Sequence, residues 1–213
     1  MDDAIACLKA QRVVPIIRTN AADEAYALAR IVIEAGLPIV ELTMTIPKVG
    51  EVITACRRDF PAAVVAVGTV RSAAEARQAI EAGAMLLVTY KASQAVAQVG
   101  RDHGIAYILG AATPTEVDRC LELGSRVVKW FPAESWGLEG LKHLHGPLPE
   151  AECLVTGGIA LERIGAWLAA GAVAVGLGGA LLAPGAGQAS VIASRVQAAM
   201  AWAHGAQARK DAP

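Results

Sequence analysis

Glu122-Leu123-Gly124-Ser125-Arg126-Val127-Val128-Lys129 reads as the end of a helix, a glycine turn and a short buried strand. The same phrase occurs three more times. Glu34-Ala35-Gly36 precedes Ile39-Val40-Glu41, Glu81-Ala82-Gly83 precedes Leu86-Leu87-Val88, and Ala169-Ala170-Gly171 precedes Val173-Ala174-Val175. Each glycine suits the position just past a helix, where left-handed backbone costs a residue without Cβ little. The copies recur at a spacing of about 41–47 residues, a period long enough to hold two strand-helix units. Four further β-branched runs, at 13–17, 64–67, 105–108 and 153–155, bring the strands to eight. Helical stretches at 21–35, 47–58, 72–82, 92–102, 113–123, 137–144, 160–170 and 187–205 alternate with them, and one more helix precedes the first strand.

Parallel strands need crossover helices, and eight of them close on themselves. The expected architecture is therefore α/β, a (β/α)₈ TIM barrel with an extra N-terminal helix. An open doubly wound sheet is the alternative, but it does not account for the fourfold double-unit repeat. Residues 1–205 read as one domain and 206–213 as a frayed polar tail. Ser72 with Glu75, and Thr113-Pro114 with Glu116, read as capping boxes.

Composition narrows the partners. The 19 basic and 20 acidic residues are interspersed and the net charge is −1, so no basic stripe suits nucleic acid. No apolar stretch is long and uninterrupted enough for a membrane span. Met1-Asp2-Asp3 does not begin a secretory signal, and the four cysteines form no CxxC pair, so a reduced, cytoplasmic protein is expected. His103, His143, His145 and His204 fall on helices or helix ends, and no metal site or cofactor is expected.

A barrel enzyme places its chemistry at the C-terminal ends of its strands. In this chain the polar and glycine interruptions gather at that rim: Arg18, Glu41 with Thr43, Gly68-Thr69, Thr89, Gly110, Lys129, Thr156-Gly157-Gly158, and Gly176 to Gly179. Lys129 follows an apolar run, and desolvation lowers the pKa of a buried lysine by up to roughly 3–5 units, enough to leave free amine for attack on a carbonyl. A packed stem with its head in water is the plainer reading. Glu41 is either a structural ion-pair partner, of Lys129 or of Arg18, or a proton shuttle; the two roles overlap. Arg18 suits a carboxylate or phosphate. Thr156-Gly157-Gly158 and Gly176-Leu177-Gly178-Gly179 follow the seventh and eighth strands, where barrels of this class bind phosphate through backbone N–H groups.

Several motifs together resemble the class I 2-keto-3-deoxy-6-phosphogluconate (KDPG) aldolases, with the related phosphogalactonate and 4-hydroxy-2-oxoglutarate aldolases. They are Lys129-Trp130-Phe131-Pro132-Ala133-Glu134, Val40-Glu41-Leu42-Thr43, Val67-Gly68-Thr69-Val70, Gly110 with Thr113-Pro114-Thr115-Glu116, and Val155-Thr156-Gly157-Gly158-Ile159. The resemblance covers about residues 5–184. It implies a metal-independent homotrimeric lyase that cleaves a phosphorylated keto-deoxy sugar acid to pyruvate and glyceraldehyde 3-phosphate, as in Entner-Doudoroff carbohydrate metabolism. Lys129 is then the Schiff-base lysine, Glu41 moves protons, and Thr69 and Thr156 line the pyruvate moiety. Thr43, Thr89, Gly110, Phe131, Gly157, Gly158, Gly178 and Gly179 complete the expected substrate-binding set.

Arg18 matches an arginine that some members carry at the end of the first strand, whereas others place one four residues beyond the glutamate, where this chain has Thr45. Two positions depart from the common pattern. Tyr90-Lys91 follows Thr89 where many members have proline, and Gly179 stands where many have serine. These departures keep a non-phosphorylated keto acid open as a substrate, with Lys91 as the candidate to hold its distal anion. A phosphosugar isomerase or synthase that leaves Lys129 unmodified is a reading from a different reaction class. A non-catalytic anion-binding barrel is a third.

Overall fold

In the computed structural model the backbone is described over residues 2–183 and 185–210, and side chains over 3–183 and 185–205. Eight parallel strands close into a barrel: β1 (Val13–Ile17), β2 (Ile39–Thr43), β3 (Val64–Gly68), β4 (Leu86–Val88), β5 (Ala106–Ala111), β6 (Val128–Trp130), β7 (Cys153–Thr156) and β8 (Ala174–Leu177), with β8 pairing back to β1. Helix α1 (Asp2–Gln11) precedes β1. Outside the barrel lie α2 (Ala22–Glu34), α3 (Val49–Asp59), α4 (Ala73–Glu81), α5 (Gln94–Asp102), α6 (Pro114–Glu122), α7 (Ala133–Leu144), α8 (Ile164–Ala169), the single-turn α9 (Gly179–Leu182) and α10 (Ala189–Lys210). The strands face packed side chains inside and helices outside, which is why they read as unbroken apolar runs instead of alternating ones. Among the described residues no helix is long and apolar enough to cross a membrane.

Register sets the depth of each functional side chain. Glu41 lies level with Ile16 and Ala66, and Lys129 level with Gly110 and Leu154. The caps work as expected in one direction: the Ser72 and Thr113 hydroxyls accept from the N–H groups of Glu75 and Glu116. The glutamates reach one residue further back than a capping box requires, to the N–H groups of Arg71 (2.7 Å) and Ala112 (2.9 Å).

Several boundaries differ from the sequence reading. β5 extends to Ala111, because Gly110 and Ala111 pair with Lys129 and Trp130. α7 begins at Ala133, and Gly137 interrupts it (φ 66°, ψ 177°) where 137 had been expected to start it. α10 runs to Lys210, five residues past the expected edge of the tail, while residues 211–213 lie outside the described residues.

Candidate active site

Lys129 on β6 and Glu41 on β2 point across the barrel at each other. The lysine Nζ donates to Oε1 at 3.2 Å and Oε2 at 3.5 Å. Lys129 is 7% exposed and Glu41 0%, so each is the other's compensation for burial. Of the two partners considered for Glu41, the structure supplies Lys129. Gly68 on β3 makes this possible: a Cβ there would lie 1.9 Å from Glu41 Oε1. Val67-Gly68 is thus a glycine required by a neighbouring carboxylate.

Arg18 takes a different path. Its Nη1 donates to the Thr45 hydroxyl at 3.1 Å and its Nη2 to the Thr69 hydroxyl at 3.0 Å. Thr69 is held at φ 58°, a left-handed conformation that is uncommon for a β-branched residue. Thr43 lies behind this pair, donating to Ile17 O (3.2 Å) with its oxygen 2.9 Å from that of Thr45. The guanidinium head is therefore held between Thr45 and Thr69.

A cavity of about 520 Å³ opens above Lys129, lined by Arg18, Phe131, Thr156, Gly157, Gly158, Gly178 and Gly179 among others. This brings seven of the expected binding residues together. Gly176 of the second glycine run also lines it, as do Ile16, Ile159, Ala160 and Ala180, which the sequence did not single out as ligands. For Ile16 the signal was present in its place two residues before Arg18, on a strand whose last residues reach the rim. Thr156 is 2% exposed, and its Oγ1 has no hydrogen-bond partner in the protein. Buried hydroxyls are rarely left so, and this one borders the cavity.

Other expected ligands have structural work. The Thr89 hydroxyl donates to Lys91 O (2.5 Å) and accepts from the Gly110 N–H (3.1 Å). A Cβ on Gly110 would meet the Tyr90 backbone at 2.2 Å. Both residues seat the turn after β4 on β5, and neither lines the cavity. Nor do Thr69, which reaches it through Arg18, and Thr43, which is linked to Arg18 only by way of Thr45. Lys91 is exposed, with its Nζ 5.8 Å from the centre of the Tyr90 ring, and is not part of the cavity wall.

The glycine loops are supported from below. Glu134 accepts from Trp167 Nε1 at 3.0 Å and from Arg163 Nη1 at 3.1 Å, while its backbone N–H donates to Gly157 O at 3.2 Å. Gly157 and Gly158 have φ of 105° and 79°, conformations that favour glycine. The cysteines stand apart from this chemistry. All four are free, and burial pushes the thiols of Cys120 and Cys153 up to about 12. Among the described residues no group of three or more His, Cys, Asp or Glu is placed to hold a metal ion.

A family model described as KDPG and KHG aldolase matches residues 4–196. The chain belongs to this aldolase family. A 2-dehydro-3-deoxy-phosphogluconate aldolase of Treponema pallidum is 33% identical over 163 residues, covering 76% of this chain and 78% of that one. A 2-dehydro-3-deoxy-6-phosphogalactonate aldolase of Escherichia coli K12 is 30% identical over 174 residues, 81% and 85% of the two chains. The solved KDPG aldolase of Zymomonas mobilis ZM4, crystallised with 3-phosphoglycerate, superposes with a TM-score of 0.85 at 27% identity, covering 95% of this chain and 97% of that one. In this member of the KDPG and KHG aldolase family, Lys129, paired with the fully buried Glu41, and the two glycine loops line one cavity.

Proposed function

We propose that this protein is a class I aldolase that reversibly cleaves a 2-keto-3-deoxy-6-phospho sugar acid to pyruvate and glyceraldehyde 3-phosphate through an imine on Lys129. The observation that carries the reading is the buried 3.2 Å contact between an amine and a carboxylate at the floor of a cavity that ends in two glycine loops. Lys129 hands its proton to Glu41 and attacks the C2 ketone; Glu41 returns that proton to the carbinolamine hydroxyl, which leaves as water to give an iminium. Glu41, as carboxylate, takes the proton of the C4 hydroxyl. The C3–C4 bond breaks, its electron pair enters the enamine, and the aldehyde leaves. Protonation at C3 and hydrolysis then release pyruvate and restore the amine.

The remaining roles follow from position. Thr156, with its unpaired hydroxyl, receives the keto-acid carboxylate together with Arg18, which Thr69 and Thr45 hold in place. Gly157, Gly158, Gly178 and Gly179 receive the phosphate, consistent with the phosphorylated three-carbon acid in the Zymomonas mobilis relative. Homotrimeric assembly and a cytoplasmic location belong to the same reading. The test is cleavage of the phosphogluconate-derived, phosphogalactonate-derived and 4-hydroxy-2-oxoglutarate substrates side by side, with pyruvate release followed through lactate dehydrogenase. One of the phosphorylated acids is expected to have the highest kcat/KM; equal or faster cleavage of hydroxy-oxoglutarate refutes the phosphate site.

A further inference from the structure

A second cavity of about 560 Å³ adjoins the first, between the end of β8 and the start of α2. The two share Ile16, Arg18, Gly178 and Gly179. Each alone falls within the roughly 300–1,000 Å³ usual for a small-molecule site, so together they offer more room than one phosphorylated six-carbon acid needs. Gly179 stands on their common border. Its φ is not left-handed, and a Cβ built on it meets nothing within 4 Å. Neither backbone nor packing requires glycine there, and the space beside it on the border of the two cavities is open.

The lining of the second cavity differs in character. Thr19, Asn20 and Glu24 supply polar groups over Leu28 and Leu182. The Glu24 carboxylate lies against the turn at Gly185, 2.9 Å from where a Cβ on that glycine would sit. A carboxylate beside an amide repels a second phosphate and accepts hydrogen bonds from hydroxyl groups.

We propose that this cavity is an acceptor subsite for the distal, hydroxylated and uncharged carbons of unphosphorylated aldehydes longer than three carbons, which pass over Gly179. The proposal rests on the aldolase reading, and the bond made is the same. The pyruvate enamine carbon attacks the aldehyde carbon, the carbonyl pair becomes an alkoxide that takes the proton from Glu41, and hydrolysis of the iminium frees the product.

The test is aldol addition of pyruvate to three- to six-carbon aldoses and to aldehydes ending in a carboxylate, with rates referred to the open-chain form. Two exposed positions that line only the second cavity supply the variants. Ala183→Trp fills it and is expected to lower kcat/KM for six-carbon acceptors about tenfold or more while glyceraldehyde stays within about twofold, the scale of pocket discrimination by a few carbons. Glu24→Lys is expected to shift preference about tenfold toward the carboxylate-ended acceptors. Trapping of pyruvate on Lys129 is measured in every protein. A wild-type enzyme that forms no adduct refutes the aldolase reading and the subsite with it. An adduct accompanied by a chain-length profile that Ala183→Trp leaves unchanged, or lowers equally at all lengths, overturns the subsite alone.

Discussion

Gly68→Ala is the smallest change that should disable the proposed chemistry without touching either reacting group. The added Cβ would lie 1.9 Å from Glu41 Oε1, 2.5 Å from Cδ and 2.8 Å from Cγ, whereas Cβ contacts under 3.0 Å essentially never occur. The carboxylate must therefore retreat by about 1 Å, and misplacement on that scale costs about 10²-fold in rate. The movement also shifts Oε1, the oxygen that accepts from Lys129 at 3.2 Å. Overpacking of this kind destabilises by about 2 kcal/mol, which lowers Tm by about 4–8 °C in a domain of this size. Steady-state cleavage kinetics and a thermal melt read both effects. Gly165→Ala, where a Cβ meets nothing within 4 Å, is the control and should leave activity unchanged. A Gly68→Ala enzyme with wild-type kcat would refute the argument that this glycine exists to seat Glu41.

Gly179→Ser adds a hydroxyl where there is open space, and is expected to lower KM for the phosphorylated acid about tenfold, since a hydrogen bond to a charged group is worth about 1.5–3 kcal/mol. An unchanged KM removes the phosphate from this loop. Glu134→Ala releases Trp167 and Arg163 and loosens the loop at Gly157; it is expected to raise KM for the phosphorylated acid about tenfold while the yield of trapped pyruvate stays constant. Equal loss of both would make Glu134 a general stability residue. Because burial pushes the thiols of Cys120 and Cys153 up to about 12, little thiolate exists at pH 8 and labelling should rise with pH only well above it. Mass spectrometry after iodoacetamide should find both unmodified in the folded protein, and rapid labelling of either would contradict the packing of α6 on β5 or the burial of β7.

The barrel was legible because its signal is repetitive and local. A helix-ending glycine followed by a β-branched run states strand, direction and connection at once, and four copies leave few topologies open. The rim was legible for a related reason: a lysine or glutamate inside an apolar strand stands out against its neighbours. What the chain order hides is contact across the barrel. Gly68 was read as part of a motif, but its reason is the Glu41 carboxylate on another strand. Gly110 and Thr89 sit at the rim as expected, yet they hold the Tyr90-Lys91 turn to the barrel and do not face the cavity, because a glycine looks the same in sequence whether it admits a ligand or a neighbouring backbone. Thr45 was noted only as a missing arginine, although its hydroxyl holds the Arg18 head. The seventh helix was expected to begin at 137, but Ala133 already turns and Gly137 breaks the helix.

The central claim is that Lys129 forms the imine. Incubation of the enzyme with pyruvate and borohydride, followed by digestion and mass spectrometry, tests it directly. A reduced three-carbon adduct on the peptide carrying Lys129, absent from Lys129→Arg and accompanied by loss of cleavage activity, is the predicted result. An enzyme that cleaves its substrate at full rate yet carries no adduct, or carries one only on Lys91, would contradict the account.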